Sequence, residues 1–136
     1  MLNFKNILYP IDLDANKNSS LKDALQFAQL FRCSVHILYV NDIAAGYRHP
    51  TDREDAVALR VKELVDESLL EGLNIIYAVS KGDTAEEITT YAKEKEVDLI
   101  IIGHKHRGQL YATLFDSTDV SILDKILLPV LVFPEK

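Results

Sequence analysis

The sequence predicts a single α/β domain in which helices cover both faces of an open parallel sheet. Two observations and one general rule of chain topology lead to this class. The chain has 136 residues, which is enough for one hydrophobic core and too few for two ordinary domains. Short apolar segments alternate along it with segments whose apolar residues recur every three or four positions. Strands and helices that alternate in this way are joined by right-handed crossovers, which produce parallel strands.

The first strand and helix are predicted near the start of the chain. Bulky apolar residues from Phe4 to Ile11 indicate a strand, and an acidic loop from Asp12 to Asn18 follows it. The next apolar residues recur at helical spacing: Leu21, Ala24, Leu25 and Ala28. Ser20, with Asp23 three residues later, is predicted to cap this helix, because its side-chain oxygen could accept an orphan backbone N–H. We expect the helix to end near Arg32.

The alternation continues through the middle of the chain. Val35 to Val40 indicates a second buried strand, and a polar loop with Gly46 and Pro50 leads to a long helix. The residues along one face of that helix are Val57, Val61, Leu64, Val65 and Ser68. Gly72 ends it, and Leu73 to Val79 supplies a third strand.

A tight turn and a capping pattern open the third helix. The turn runs from Lys81 to Asp83, and Thr84 with Glu87 matches a capping box. Val97 to Ile102 is nearly continuous in β-branched residues, which is typical of a central strand covered on both faces. The remaining predicted elements are a loop to about Phe115, a helix from about Asp116 to Lys125 and a fifth strand from Pro129 to Phe133.

The charge of the chain argues against polyanionic partners. It has 15 basic and 21 acidic residues, for a formal charge of −6. Nucleic acids and anionic membranes attract a positive surface, so we predict neither as a partner. The excess lies in two segments of helical periodicity, residues 52–71 with seven acids and three bases and residues 81–96 with five acids and three bases. We interpret both as solvated helix faces.

The expected location is the cytoplasm. No apolar run approaches the ~20 residues that a membrane-spanning helix needs. The apolar stretch from Ile7 to Ile11 is too short for a signal-peptide core, and Asp12 and Asp14 follow it at once. Cys33 is the only cysteine, so no intrachain disulfide can form.

Five segments of the predicted strands and turns form a recognisable set: Ile7-Leu8-Tyr9-Pro10-Ile11-Asp12, His36-Ile37-Leu38-Tyr39-Val40, Gly82-Asp83-Thr84-Ala85-Glu86-Glu87-Ile88, Val97-Asp98-Leu99-Ile100-Ile101-Ile102-Gly103 and Leu128-Pro129-Val130-Leu131-Val132-Phe133. Together they resemble the universal stress protein A family, and the resemblance covers nearly the whole chain. The Gly-Asp turn, the short helix and the strand that begins Val-Asp-Leu form the most specific combination. Residues 1–136 are therefore identified as one universal stress protein domain, with a stress-response or sensing role.

The resemblance also implies an architecture and an assembly. The sheet would be Rossmann-like, with five parallel strands in the order 3-2-1-4-5. The chain would form a homodimer through the last strand: Val130, Leu131, Val132 and Phe133. Independently of the resemblance, an apolar strand at the end of the chain is expected at a sheet edge, and an uncovered apolar edge invites pairing with another chain.

The ligand that the resemblance implies is ATP or another adenine nucleotide, with Mg²⁺ as the only metal. Ligands of open parallel sheets bind beyond the carboxyl ends of the strands. Pro10, Asp12 and Val40 match the end of the family's site that holds adenine and ribose, and Val40 is expected to act through its backbone. The Asp12 carboxylate could accept hydrogen bonds from ribose hydroxyls or an adenine amine.

The phosphate end of the site departs from the family's pattern. Many members bind ATP through a loop of the form Gly-x-x-Gly-x9-Gly-(Ser/Thr). Here Gly103 matches the first glycine, His106 and Asp116 replace the other two, and Ser117 and Thr118 follow. Glycine lets a backbone approach a phosphate closely. A carboxylate ~4 Å from a phosphate charge repels it by about 1 kcal/mol in water and about 4 kcal/mol at an effective dielectric constant of 20. We therefore expect ATP binding to be weakened or lost, although Asp116 could simply cap the last helix.

A short basic run supports an alternative. His104-Lys105-His106-Arg107 stands where the phosphates would lie, and its cations could replace part of what the glycines supply. In that interpretation the chain binds ATP, and hydrolyses it slowly, through Lys105, Arg107 and Ser117. The same run could instead be a solvated loop.

Three other functions are less well supported by the sequence. A phosphoacceptor domain could use Asp12 and Asp14, but it would also need an aspartate at the end of the third strand, where Ser80 stands. A metal site at His104 and His106 lacks a third ligand at an identifiable spacing. No nucleophile with an adjacent base is evident, so we name no catalytic residue and expect a binding module rather than an enzyme.

Overall fold

The computed structural model describes residues 4–13, 19–42, 53–104 and 127–134. The strands are β1 (Asn6–Pro10), β2 (Ser34–Asn41), β3 (Ile75–Lys81), β4 (Leu99–His104) and β5 (Val130–Pro134). The helices are α1 (Ser19–Phe31), α2 (Glu54–Leu64) and α3 (Thr84–Glu94), and a short 3₁₀ helix spans Glu67–Leu69. The helix predicted from Asp116 to Lys125 lies outside the described residues.

The strands form one parallel sheet in the order β3-β2-β1-β4-β5. This confirms the fold class and the strand order that the family resemblance implies. From β1 at the centre, two crossovers lead outward to β2 and β3, and the chain then returns across the sheet to β4 and β5. The last strand lies at an edge, as expected from its position in the sequence.

Side chains of the central strands alternate between two cores, one on each face of the sheet. On one face Ile7, Ile37 and Ile101 pack with Leu25 of α1 and Val61 of α2. All five side chains are fully buried. A fully buried aliphatic side chain contributes roughly 1.5–3 kcal/mol relative to an exposed one, so this layer holds α1 and α2 against the sheet.

The other face is covered by α3. Leu8, Leu38 and Ile100 alternate with the residues of the first core and pack with Ile88 and Ala92 of the helix. Burial on both faces explains why the central strands are continuously apolar.

Asp98, in the Val-Asp-Leu step that opens β4, fixes the start of β1. Its Oδ2 accepts the backbone N–H groups of Lys5 at 2.7 Å and Asn6 at 2.8 Å. Its own N–H donates to the Asn6 carbonyl at 2.8 Å. A charged acceptor on two backbone donors makes stronger hydrogen bonds than a neutral one, so Asp98 joins the amino ends of the two central strands.

Three local predictions are wrong. Ser20 lies inside α1 and is fully buried, and its Oγ is 2.7 Å from the hydroxyl of Tyr9. Thr84 is the first residue of α3, whose cap is Asp83. The helix predicted to reach Ser68 ends at Leu64, because the next residue is extended.

Candidate functional site

The candidate site lies where the two central strands separate. Within the described residues β1 pairs with β4 as far as Leu8 and Ile100, whereas β4 and β5 stay paired as far as His104 and Pro134. The sheet is therefore open between β1 and β4 at their carboxyl ends. The crossovers change direction here, which is where open parallel sheets bind their ligands.

Pro10 explains why the strands separate. In a β-strand, every second residue directs its N–H and C=O groups toward the same neighbouring strand. The Asn6 carbonyl faces β4, because it accepts the N–H of Asp98, the residue just before that strand. The backbones of Leu8 and Pro10 therefore face β4 as well. Proline has no N–H to donate, so the next hydrogen bond of the ladder cannot form. We name the resulting opening between the ends of β1 and β4 the crevice.

The backbone of Val40 faces the crevice. On the β1 side of β2, the Leu38 carbonyl accepts the Ile11 N–H at 2.9 Å. On the opposite side, the Asn41 carbonyl accepts the Gly82 N–H at 3.2 Å. By alternation, the N–H and C=O of Val40 point toward the β1 side, just beyond the end of β1. This orientation suits a residue that acts through its backbone.

Asp12 and Gly103 flank the crevice. Both are half-buried, and Asp12 follows β1 by two residues. The Ile100 N–H donates to the Pro129 carbonyl on the β5 side at 3.1 Å, so alternation directs the backbone of Gly103 toward β1. The structure thus brings four predicted site residues to the carboxyl ends of three adjacent strands: Pro10, Asp12, Val40 and Gly103.

The other predicted site residues are only partly covered. His104 ends β4, where its backbone pairs with Pro134. The rest lie outside the described residues: His106, Asp116, Ser117 and Thr118. Across the described ranges, no group of three His, Cys, Asp or Glu residues is arranged to hold a metal ion, and no helix is long and apolar enough to span a membrane.

A hydrogen-bonded corner, which the sequence did not predict, joins the end of β2 to the start of α3. The buried carboxylate of Asp42 accepts both the backbone N–H and the hydroxyl of Thr84, each at 2.8 Å. In the turn just before Thr84, Gly82 has a φ of 138°, and a Cβ at this position would lie 3.3 Å from the side chain of Glu87. The only sequence signal was Asp42 itself, an acid directly after a buried strand. We call this contact the Asp42–Thr84 corner.

The side chain of Asn41, the last residue of β2, has a buried amide oxygen. Asn41 Oδ1 accepts no hydrogen bond in the part of the chain that the structure describes. A buried acceptor without a donor costs about 1–3 kcal/mol. The carboxylate of Asp12 and the backbone of Val40 offer acceptors and donors of the kind that an adenine ring and a ribose require.

Three buried titratable groups with perturbed pKa values lie away from the crevice: His36, Tyr91 and Cys33. His36 Nδ1 is 2.6 Å from the Tyr91 hydroxyl in the core under α3, and burial lowers the pKa of His36 and raises that of Tyr91. Burial also raises the pKa of Cys33, whose Sγ donates to the Phe4 carbonyl at 2.9 Å. A buried, protonated thiol is inert. A groove of about 500 Å³ beside Cys33 lies at the opposite, amino end of the sheet.

A five-stranded parallel sheet in this order, which opens between its two central strands, defines a Rossmann-like α/β fold. The family model for the universal stress protein family matches residues 3–134. The chain belongs to this family.

Individual relatives agree with the family match. A curated universal stress protein of Methanocaldococcus jannaschii is 26% identical over 138 residues, which cover 95% of this chain and 81% of the relative. The solved structure of UspA from Lactobacillus plantarum is 22% identical with a TM-score of 0.64, and the match covers 98% of this chain and 99% of that one.

Two of the similar structures hold nucleotides. One is a universal stress protein in complex with cAMP, with a TM-score of 0.67 and 14% identity over 99% of this chain and all of that one. The other is a universal stress protein of Archaeoglobus fulgidus in complex with dAMP, with a TM-score of 0.52 and 17% identity over 99% of this chain and all of that one. At these identities the likeness shows that the fold is shared.

Proposed function

We propose that this chain is a homodimeric stress-response or sensing module that binds an adenine nucleotide in the crevice, with its affinity for ATP weakened by the altered loop after β4. The observation that carries the proposal is the crevice itself, which Pro10 opens between the two central strands. We also propose a cytoplasmic location, where its single buried thiol would remain reduced.

The base and ribose end of the nucleotide fits the described residues. A carboxylate such as Asp12 accepts hydrogen bonds from ribose hydroxyls or from the exocyclic amine of adenine. The backbone N–H and C=O of Val40 face the same opening, and together they could read the donor and acceptor on the edge of adenine. Relatives with this fold are named as complexes of cAMP and dAMP, both of which contain adenine.

The sequence after β4 indicates that the phosphates of the nucleotide are bound weakly. His106 and Asp116 replace two glycines of the family's loop. A carboxylate ~4 Å from a phosphate costs about 1 to 4 kcal/mol, depending on the dielectric constant. This corresponds to a roughly tenfold to thousandfold loss of affinity. We therefore propose that a nucleotide with one phosphate binds better than ATP.

A second candidate is an ATP-binding protein that hydrolyses ATP slowly. The basic run that starts at His104 favours it, because His104 ends β4 at the carboxyl edge of the sheet. In this case Lys105, Arg107 and Ser117 replace the missing glycines. Replacing Lys105 and Arg107 with Ala would then abolish ATP binding while leaving AMP binding intact.

The proposed dimer uses β5. This strand is an edge of the sheet, and Val130 is 36% exposed. Leu131, Val132 and Phe133 remain half-buried, and Leu127 just before the strand is 88% exposed. An apolar edge strand has unpaired backbone groups as well as apolar side chains to offer a second copy.

Thermal unfolding with added nucleotide tests the binding function. A ligand that binds only the native state raises its stability, by about 2.7 kcal/mol at a hundredfold excess over its Kd. We expect AMP to raise the melting temperature more than ATP with Mg²⁺, and GMP to have the smallest effect. An unchanged melting temperature with millimolar AMP and ATP would rule out the proposal.

A pair of variants locates the site. Asp12→Asn should reduce the shift caused by AMP, because an amide offers one acceptor atom where the carboxylate offers two. Glu94→Gln removes the same charge from an exposed residue at the last position of α3 and should bind AMP like the wild type. Equal shifts in both variants would place the nucleotide elsewhere.

A further inference from the structure

Among the strands that the structure describes, only β3 pairs with the end of β2. Within the described residues β1 pairs with β2 as far as Leu38, so the last residues of β2 extend past β1. On the other side β3 continues, and it pairs with Val40 and Asn41 through Ser80 and Lys81. Within the described residues, the contacts that position the Val40 backbone at the crevice therefore come from β3 and from the turn that connects β3 to α3.

The Asp42–Thr84 corner is the last of these contacts. Thr84 donates two hydrogen bonds to one carboxylate oxygen of Asp42, each 2.8 Å long. Thr84 is 0% exposed and Asp42 is 6% exposed, so water competes little for these bonds. Asp42 is two residues beyond Val40, and the Gly82 N–H holds the carbonyl of Asn41 between them.

We propose that Thr84 is a positioning residue for the nucleotide site. Its hydroxyl and N–H hold Asp42 against the start of α3, and this keeps the Val40 backbone at the angle from which it can contact the base. The inference rests on the proposed function, because Thr84 itself is buried on the α3 side and is not placed against the ligand.

The chain offers a matched control in the same helix. Thr89 is also buried, and its hydroxyl donates to the Ala85 carbonyl at 2.8 Å within α3. Thr84→Val and Thr89→Val each replace one buried hydroxyl with a methyl group of the same shape. Both variants should lose stability, but only Thr84→Val breaks a bond to Asp42, beside the end of β2, so only this variant should alter the crevice. Thr84→Ser keeps the hydroxyl and should restore wild-type behaviour.

Two readouts on these variants test the proposal. Calorimetric titration with AMP should show at least about a fivefold loss of affinity in Thr84→Val and no change in Thr89→Val or Thr84→Ser. Amide hydrogen exchange without nucleotide should show faster exchange at Gly82 in Thr84→Val alone, since its bond to Asn41 lies inside the corner.

The outcomes separate this inference from the proposed function. AMP affinity that falls equally in Thr84→Val and Thr89→Val, or in neither, overturns the positioning role. A wild type that binds no AMP removes the proposed function, and the exchange rates then decide alone. In that case faster exchange at Gly82 in Thr84→Val supports the role of Thr84 in holding β2, and unchanged exchange overturns it.

Discussion

The buried His36–Tyr91 pair predicts how the stability of the domain depends on pH. His36 lies on β2 and Tyr91 on α3, each is 7% exposed, and the 2.6 Å bond between Nδ1 and the hydroxyl joins sheet to helix. Their rings meet edge to face with centroids 5.5 Å apart. The pair is thus a polar contact between α3 and the strand whose far end borders the crevice.

Removing the hydroxyl gives the first test. Tyr91→Phe leaves the ring and its packing in place but takes the partner from His36 Nδ1. A buried polar group left without its partner costs about 1–3 kcal/mol. We expect the free energy of unfolding, measured by urea denaturation at pH 7.5, to fall by that amount in Tyr91→Phe.

The pKa of His36 sets the direction of the pH dependence. Burial, and to a smaller extent the charge of Lys95, lower this pKa below its ordinary value of 6.5. The unfolded chain therefore binds a proton at a higher pH than the folded one. Stability should decline as the pH falls through 6.5 and continue to decline down to the folded-state pKa, with a slope of at most about 1.4 kcal/mol per pH unit.

His36→Asn provides the reference for this titration, because the amide group of asparagine stands two bonds from Cβ, as Nδ1 does, but does not ionise. We expect the stability of the wild type relative to His36→Asn to fall between pH 7.5 and pH 5.5. A difference that stays constant over this range, or a loss in Tyr91→Phe below about 0.5 kcal/mol, which is within the range of a neutral surface substitution, would refute the account of this pair.

Two further predictions concern the sheet. Asp98→Ala should lower the free energy of unfolding by about 1–3 kcal/mol in urea denaturation, because the backbone N–H groups of Lys5 and Asn6 lose their acceptor. The same variant should leave AMP affinity unchanged. An unchanged free energy of unfolding would contradict the role given to Asp98. Val130→Lys should convert the dimer to a monomer in light scattering, since a lysine on an edge strand opposes strand pairing, whereas Leu59→Lys on the exposed face of α2 should not. A wild type that is monomeric, or a Val130→Lys variant that remains dimeric, would exclude β5 as the interface.

The periodicity of the sequence was sufficient for the architecture because the two cores require it. Side chains buried on alternate faces produce the continuous apolar runs of β2 and β4, and those runs identify the strands without knowledge of their neighbours. The strand order came from the family resemblance, since no local pattern specifies which strands pair.

Long-range contacts were what the sequence could not predict. Ser20 and Thr84 both lie at helix starts, where a hydroxyl commonly caps the helix. The Ser20 hydroxyl instead bonds to the hydroxyl of Tyr9, and the Thr84 hydroxyl donates to the carboxylate of Asp42. Pro10 was identified as a site residue by resemblance alone. Its physical role follows only from the register of β1 against β4, which shows that its missing N–H ends the ladder.

The central claim is that the crevice binds an adenine nucleotide and that the loop residues His106 and Asp116 weaken the binding of its phosphates. Calorimetric titration of AMP and ATP with Mg²⁺ into the wild type and the double variant His106→Gly, Asp116→Gly tests it most directly. We predict similar AMP affinities in both proteins, and ATP affinity at least about tenfold higher in the variant. ATP that binds the wild type as tightly as the variant, or no binding of either nucleotide to either protein, would contradict the claim.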